Sequence, residues 1–151
     1  MSAPRVLVAP VPAGIDDVRT MLRDLAEAGA VARAADDTSR TWAIIGEVAV
    51  DAGLSENDGV VEHDRLGRQA VRLAVDKTLC VGESRSVRAL HQGAIMEGSW
   101  GDEARLVATA AEARVLLSAP GDWRPASGDV VFVAAASPEI AALAEIWQGA
   151  R

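Results

Sequence analysis

Tyrosine is missing from the 151 residues and phenylalanine occurs once, so the four tryptophans carry almost all of the aromatic content. A close-packed core must therefore be built from Ala, Val, Leu and Ile. Cysteine also occurs once, at Cys80, which excludes an intramolecular disulfide and fits a reducing compartment. Because Cys80 sits in the apolar run Thr78 to Val81 with no cation beside it in sequence, a buried and inert thiol is expected. The two histidines, His63 and His91, form no close-spaced ligand pair with each other or with Cys80, which argues against a structural metal. Positive charge is short as well. Fifteen Lys and Arg against 22 Asp and Glu leave a formal charge of −7, and the arginines are scattered, so nucleic acid is not an expected partner. No stretch reaches the ~20 apolar residues of a membrane span, and the N-terminus lacks a basic segment followed by a signal-length apolar run. A soluble cytoplasmic protein without membrane insertion is the expectation.

What is present is an alternation of short apolar runs with amphipathic ones. The length suits one domain that buries roughly two-thirds of its unfolded surface. The organising stretch is Thr41 to Gly82. It holds an apolar run TWAIIGEV, a polar loop, a helical pattern over GVVEHDRLGRQAVRLA, and a second run KTLCVG. Both runs are short and rich in branched residues, as in strands buried on both faces of a parallel sheet. Between them Val60, Val61, Leu66, Ala70, Val71 and Leu73 fall mainly at helical spacings, which makes a βαβ unit. Before it, Arg5 to Ala9 reads as a strand, and a helix capped at Asp16-Asp17 runs to about Ala28, followed by a connection to Arg40. After it, a helix capped by Ser84 ends at Gly93; Ala104 to Val107 is a short strand, and Thr109 caps a helix to about Leu117. Pro120 to Gly128 is a loop, Val130 to Ala134 the last strand, and Pro138 opens a closing helix to Trp147. The predicted fold class is α/β: one Rossmann-like domain, a mostly parallel sheet of about five or six strands with helices on both faces.

Several motifs in order carry a likeness to a known family. Gly46-Glu47 at a strand end is followed by Gly53-Leu54-Ser55, by Glu62-His63 in a helix and by Val81-Gly82 closing the next strand. His91-Gln92-Gly93-Ala94, Glu97-Gly98-Ser99-Trp100-Gly101-Asp102 and Gly128 to Val133 continue the series. This order resembles the C-terminal domain of the Mur ligase family, nearest to its D-alanyl-D-alanine-adding members, from about Val6 onward. The resemblance implies that residues 1–151 form a Mur ligase C-terminal-like domain, without the ATP-binding central domain and the UDP-sugar-binding N-terminal domain of complete ligases. The only lysine, Lys77, follows Val75-Asp76 and is not set in a glycine-rich phosphate loop.

The chain departs from the family where the chemistry would be. The family's first strand leads into an Asp-Ala-Tyr-Asn-Ala-Asn-Pro type of loop that helps arrange nucleotide and substrate. Here the aligned residues are Ala9-Pro10-Val11-Pro12-Ala13-Gly14-Ile15, with no acid, amide or phenol. The family's last strand ends in Val-Lys-Gly-Ser-Arg or Val-Lys-Ala-Ser-Arg. Here Ala134 stands at the lysine position and Ser137 at the arginine position, so a fixed five-donor fork is replaced by one hydroxyl.

Ligands of open α/β sheets sit at the carboxyl ends of strands, so the positions to watch are Pro10 to Gly14, Glu47, Gly82 to Arg85, and Ala134 to Pro138. Glu47 could orient an amine or a ribose hydroxyl, or be a solvated loop carboxylate. His63 could act as a base, or as a hydrogen-bonding group of its helix. Ser84 and Arg85 open a strand-to-helix turn whose amides could hold an anion, which Glu83 opposes. Trp100 and Trp123 are placed in loops, where each either presents an indole to a partner or closes one end of the core. No catalytic residue is assigned.

Three functional expectations follow. The first is a degenerate, non-catalytic domain with a binding or regulatory role in peptidoglycan precursor synthesis, partnered by a protein of cell-wall synthesis and needing no cofactor. The second is a separately encoded part of a split ATP-dependent ligase that completes its active site in trans, with ATP and Mg supplied through the partner core. The third is a small-molecule-binding Rossmann-like module. Fold similarity does not choose among them.

Overall fold

The computed structural model describes residues 3–98 and 103–148, and the expectation placed on Trp100 lies outside them. In chain order the elements are β1 (Arg5–Val8), α1 (Ile15–Ala35), β2 (Thr41–Gly46), α2 (Glu56–Arg72), β3 (Lys77–Val81) and α3 (Arg85–Glu97). They continue with β4 (Ala104–Val107), α4 (Ala110–Ser118), β5 (Val130–Ala134) and α5 (Pro138–Ala141). A 3-10 turn (Ala142–Ala144) then leads to α6 (Glu145–Gln148). The five strands form one sheet in the order β1-β5-β2-β3-β4, with every neighbouring pair parallel. β2, β3 and β5 are buried at every position, which is why their sequences read as continuous apolar runs.

Alternation along the strands sends side chains into two separate cores. Ala43, Ile45, Cys80, Phe132 and Ala134 face one side and pack with Val18, Leu22, Leu25, Leu66 and Leu90 of α1, α2 and α3. Trp42, Ile44, Leu79, Val81 and Val133 face the other and meet Ala113, Leu117, Leu143 and Trp123. The expected layering of helices on both faces of a parallel sheet is what forms.

Three helix boundaries differ from the sequence reading. Helix α1 runs on to Ala35 instead of stopping near Ala28: the alanines after Gly29 are strong helix formers, and Gly29 is there for contact, since a Cβ on it would lie 2.3 Å from Thr41 Cγ2. Helix α2 starts at Glu56, since Ser55 accepts a hydrogen bond from the Asp58 N–H at 3.1 Å while the Asp58 carboxylate accepts from the Ser55 N–H at 3.2 Å. Helix α3 passes through Gly93 to Glu97. Gly93 is there for contact, not for termination. A Cβ on it would lie 2.2 Å from the Asp64 carbonyl oxygen of α2, and a Cβ on Gly67 would lie 2.0 Å from the Leu90 carbonyl oxygen of α3. The two helices thus approach backbone to backbone through reciprocal glycines. The expected closing helix is broken into α5, the 3-10 turn and α6.

Candidate functional site

The carboxyl ends of the strands form the upper end of the domain, and the loops there are tied to one another through their main chains. The Ala13 N–H donates to the Ala135 carbonyl at 3.1 Å, Ala49 N–H to Ala13 at 2.8 Å, Ile15 N–H to Ala49 at 3.2 Å, and Ala136 N–H to Glu47 at 2.8 Å. Ala9, Ala13, Ala134 and Ala135 are all buried. Side chains no larger than a methyl let these three loops close directly over the ends of β1, β5 and β2. That is the crevice where the helices after adjacent strands leave to opposite faces and ligands of such sheets ordinarily sit.

Beside it lies a cleft of about 300 Å³ lined by Glu47, Val81, Gly82, Glu83, Ser84, Val87, Ala136, Ser137 and Ile140. Gly46 closes its floor: a Cβ there would lie 2.8 Å from Ile140 Cδ1 and 3.1 Å from Ala135 Cβ. Helix α5, begun by Pro138, thereby lays an aliphatic side chain where an open crevice would continue. The cleft has two carboxylates at its mouth, Glu47 and Glu83, both exposed, and no Lys or Arg among its lining residues.

The structure places the four sequence-derived candidates in three different settings. Glu47 and Ser84 both line the cleft. The Ser84 hydroxyl is already committed as the cap of α3, accepting from the Val87 N–H at 3.2 Å. Arg85 is absent from the lining; its guanidinium reaches to the start of α2, 3.4 Å from Glu56 and 3.2 Å from the Asn57 side-chain oxygen. His63 is 1% exposed, and both ring nitrogens are used by the backbone. Nδ1 lies 2.7 Å from the Gly59 carbonyl oxygen, and Nε2 accepts the Val48 N–H at 3.0 Å, which fits the tautomer protonated on Nδ1. His63 pins the loop after β2 to α2 instead of facing solvent, and its helical position alone gave no signal of that.

A second, wider cleft of about 600 Å³ lies between the start of α1, the loop after β2 and α2. Glu62 is its central group, paired with Arg19 of α1 and with Arg65 one turn on at 2.8 Å; Arg19 also contacts Asp16 at 3.1 Å. The i, i+3 spacing of Glu62 and Arg65 was legible in the sequence, whereas the approach of Arg19 from another helix was not. Among the described residues no three His, Cys, Asp or Glu side chains are placed to hold a metal ion. Burial pushes the Cys80 thiol far above its ordinary pKa, as the apolar run around it implied.

The lower end, where the strands begin, is built differently. The Asp129 carboxylate, 2% exposed, accepts from the Trp42 indole N–H at 2.8 Å, the Arg40 N–H at 2.9 Å and the Ala126 N–H at 2.9 Å. Trp42 meets Trp123 edge to face, with ring centroids 5.8 Å apart. The Arg40 guanidinium lies 4.9 Å from the Trp42 ring centroid and the Lys77 ammonium 4.7 Å from that of Trp123. Both cations then converge on Asp122, at 3.0 and 2.5 Å. Of the two readings for Trp123, closing one end of the core is the one realised: it is 4% exposed.

Comparison with known proteins gives a consistent set of relatives. Over 111 residues, 73% of the chain, it is 49% identical to the UDP-N-acetylmuramoyl-tripeptide–D-alanyl-D-alanine ligase of Mycobacterium leprae (strain TN). It is 39% identical over 131 residues, 81% of the chain, to the enzymes of the same name from Mycobacterium bovis and Mycobacterium tuberculosis. These alignments cover 20% of the first relative and 24% of the other two, so the chain spans about a quarter or less of their length. No family model and no solved structure matches it.

Proposed function

Because this chain is a Mur ligase C-terminal-like domain related to the D-alanyl-D-alanine-adding ligases, we propose that it serves as a non-catalytic binding or regulatory module in peptidoglycan precursor synthesis. The observation that carries the proposal is the closure of the crevice over β1, β5 and β2 by main-chain bonds among Ala13, Ala49 and Ala135. A nucleotide phosphate or a peptide carboxylate needs charge-assisted donors there. The polar side chains lining the cleft beside it are two carboxylates and the hydroxyls of Ser137 and of Ser84, the latter already used as a helix cap; Arg85 is held elsewhere by Glu56 and Asn57, and Arg19 and Arg65 of the wider cleft are paired with Glu62. Under this reading the domain acts through its surface on a protein of cell-wall synthesis in the cytoplasm and takes no cofactor of its own.

Calorimetry of the purified chain with ATP, ADP and D-alanyl-D-alanine tests the proposal, with no saturable heat expected from any of the three. A pull-down from native extract is expected to recover proteins of cell-wall synthesis. Saturable dipeptide binding, or peptide-bond formation at the expense of ATP by the chain alone, overturns it.

A second reading is favoured by the 39–49% identity to D-alanyl-D-alanine-adding ligases: the chain supplies one portion of such a ligase and completes its active site together with the others. Glu47, exposed at the mouth of the cleft, would then face the substrate held by the other portions. Mixing the chain with a ligase core lacking its own C-terminal domain distinguishes the two: recovery of ATP-dependent ligation supports the second reading, and its absence the first.

A further inference from the structure

The sheet ends in two open edges, and the two most exposed large apolar side chains among the described residues lie beside them: Val31 at 71% and Val115 at 69%. Val31, on α1, borders a groove with Arg5 and Leu7 of β1; Val115, on α4, borders a groove of about 550 Å³ with Arg105 and Val107 of β4. The grooves differ in charge. Arg5 is outnumbered by Asp24 and Glu27 in the first, whereas Arg105 is matched by Glu112 in the second. Within the chain Arg105 and Glu112 line the same groove, yet no ion pair joins them among the described residues.

We propose that the β4 edge is where two copies of this chain associate, each β4 lying antiparallel to the other across a two-fold axis perpendicular to the sheet. Such an axis keeps both α4 helices on one face, so Val115 and Leu116 of the two copies meet while each Arg105 faces the other copy's Glu112. The unpaired backbone groups along Ala104–Val107 find partners in the same step. A second copy is the fitting occupant because of charge. The chain carries −7, so most of its surface repels a copy, but the two charged residues of this groove, Arg105 and Glu112, are opposite in sign and sum to zero. The β1 edge, with its acidic excess, lacks that self-complementarity. A four-residue strand and one helix face make a small interface, so the association is reversible and concentration-dependent. The inference does not depend on the function proposed above.

Sedimentation velocity on the full chain, from about 5 μM to about 1 mM at low salt, reads the association directly. The expected result is a reversible shift from monomer to twice its mass. Val115→Asp and Arg105→Glu change exposed side chains, so both variants keep the monomer's melting midpoint while weakening association by about tenfold or more. Glu112→Arg weakens it similarly, and combining it with Arg105→Glu restores association to within about threefold of the original. A chain that stays monomeric at every concentration overturns the proposal, whether its edge stays bare or takes a strand from another protein. So does a dimer indifferent to Val115→Asp and Arg105→Glu, or a double swap without recovery.

Discussion

The two ends of the sheet use opposite means to hold their loops. At the lower end a buried carboxylate, two indoles packed edge to face and two cations join β2, β3 and the segment before β5 through side chains. At the upper end, where this architecture places ligands, the loops are joined through main-chain groups made accessible by alanine, and His63 is the chief buried side chain that links them to a helix. A side-chain network ties specific residues to specific partners. A main-chain network needs only that the side chains be small. The upper end therefore relies less than the lower end on particular side chains to hold its loops.

The contrast is easiest to break at Asp129. Asp129→Ala leaves three donors, one an indole, without an acceptor in a buried site, and should cost about 4 kcal/mol, read as a large drop in urea midpoint. A loss below ~1 kcal/mol would mean that the lower network is decorative and the contrast false. His63→Ala is the matching test at the upper end: it orphans the Val48 N–H and empties a buried volume, with an expected loss of about 2–3 kcal/mol in the same measurement. If it costs more than Asp129→Ala, the two ends have been ranked the wrong way round.

Much of this division was readable before any coordinates. The parallel sheet followed from apolar runs such as Trp42 to Gly46, and the missing charges at Ala134 and Ser137 were plain in the letters. Local patterns encode strands and caps well because the physics is local: Ser55 bonds within its own first turn. The rest depends on what a residue meets far along the chain. Gly93 looked like a helix stop because a backbone carbonyl 29 residues earlier was invisible, and the burial of Trp123 required knowing that Trp42, Arg40 and Lys77 gather beside it. The burial of His63 was hidden for the same reason: the donor it serves, the Val48 N–H, precedes its helix.

Acid titration sharpens the comparison further. Hydrogen bonding from Lys77, then from Arg40, holds the Asp122 carboxyl below the usual aspartate range. A lowered folded pKa means that this contribution is intact above the ordinary aspartate titration and fades as the pH falls through the lower folded value. Wild-type stability measured from pH 6 downward should therefore show an acid-side loss that is smaller in Asp122→Asn; equal slopes for the two proteins would remove the lower end's electrostatic share. The smallest effect is expected at Glu47. Glu47→Ala should shift stability by under about 0.5 kcal/mol, because its side chain is exposed and the bond that holds its loop comes from its main-chain carbonyl. A loss beyond ~2 kcal/mol would show a buried bond for that carboxylate and withdraw it as a free ligand group.

The reciprocal glycines set a limit on how this domain can respond to anything it binds. With Gly67 seated on the Leu90 carbonyl and Gly93 on that of Asp64, sliding one helix along the other would drive main-chain atoms into collision. The turn carrying Ser84 and the turn carrying Glu56 must then travel together or stay put, so a signal arriving at the cleft passes outward as a rigid tilt of the pair and not as a shear between its members.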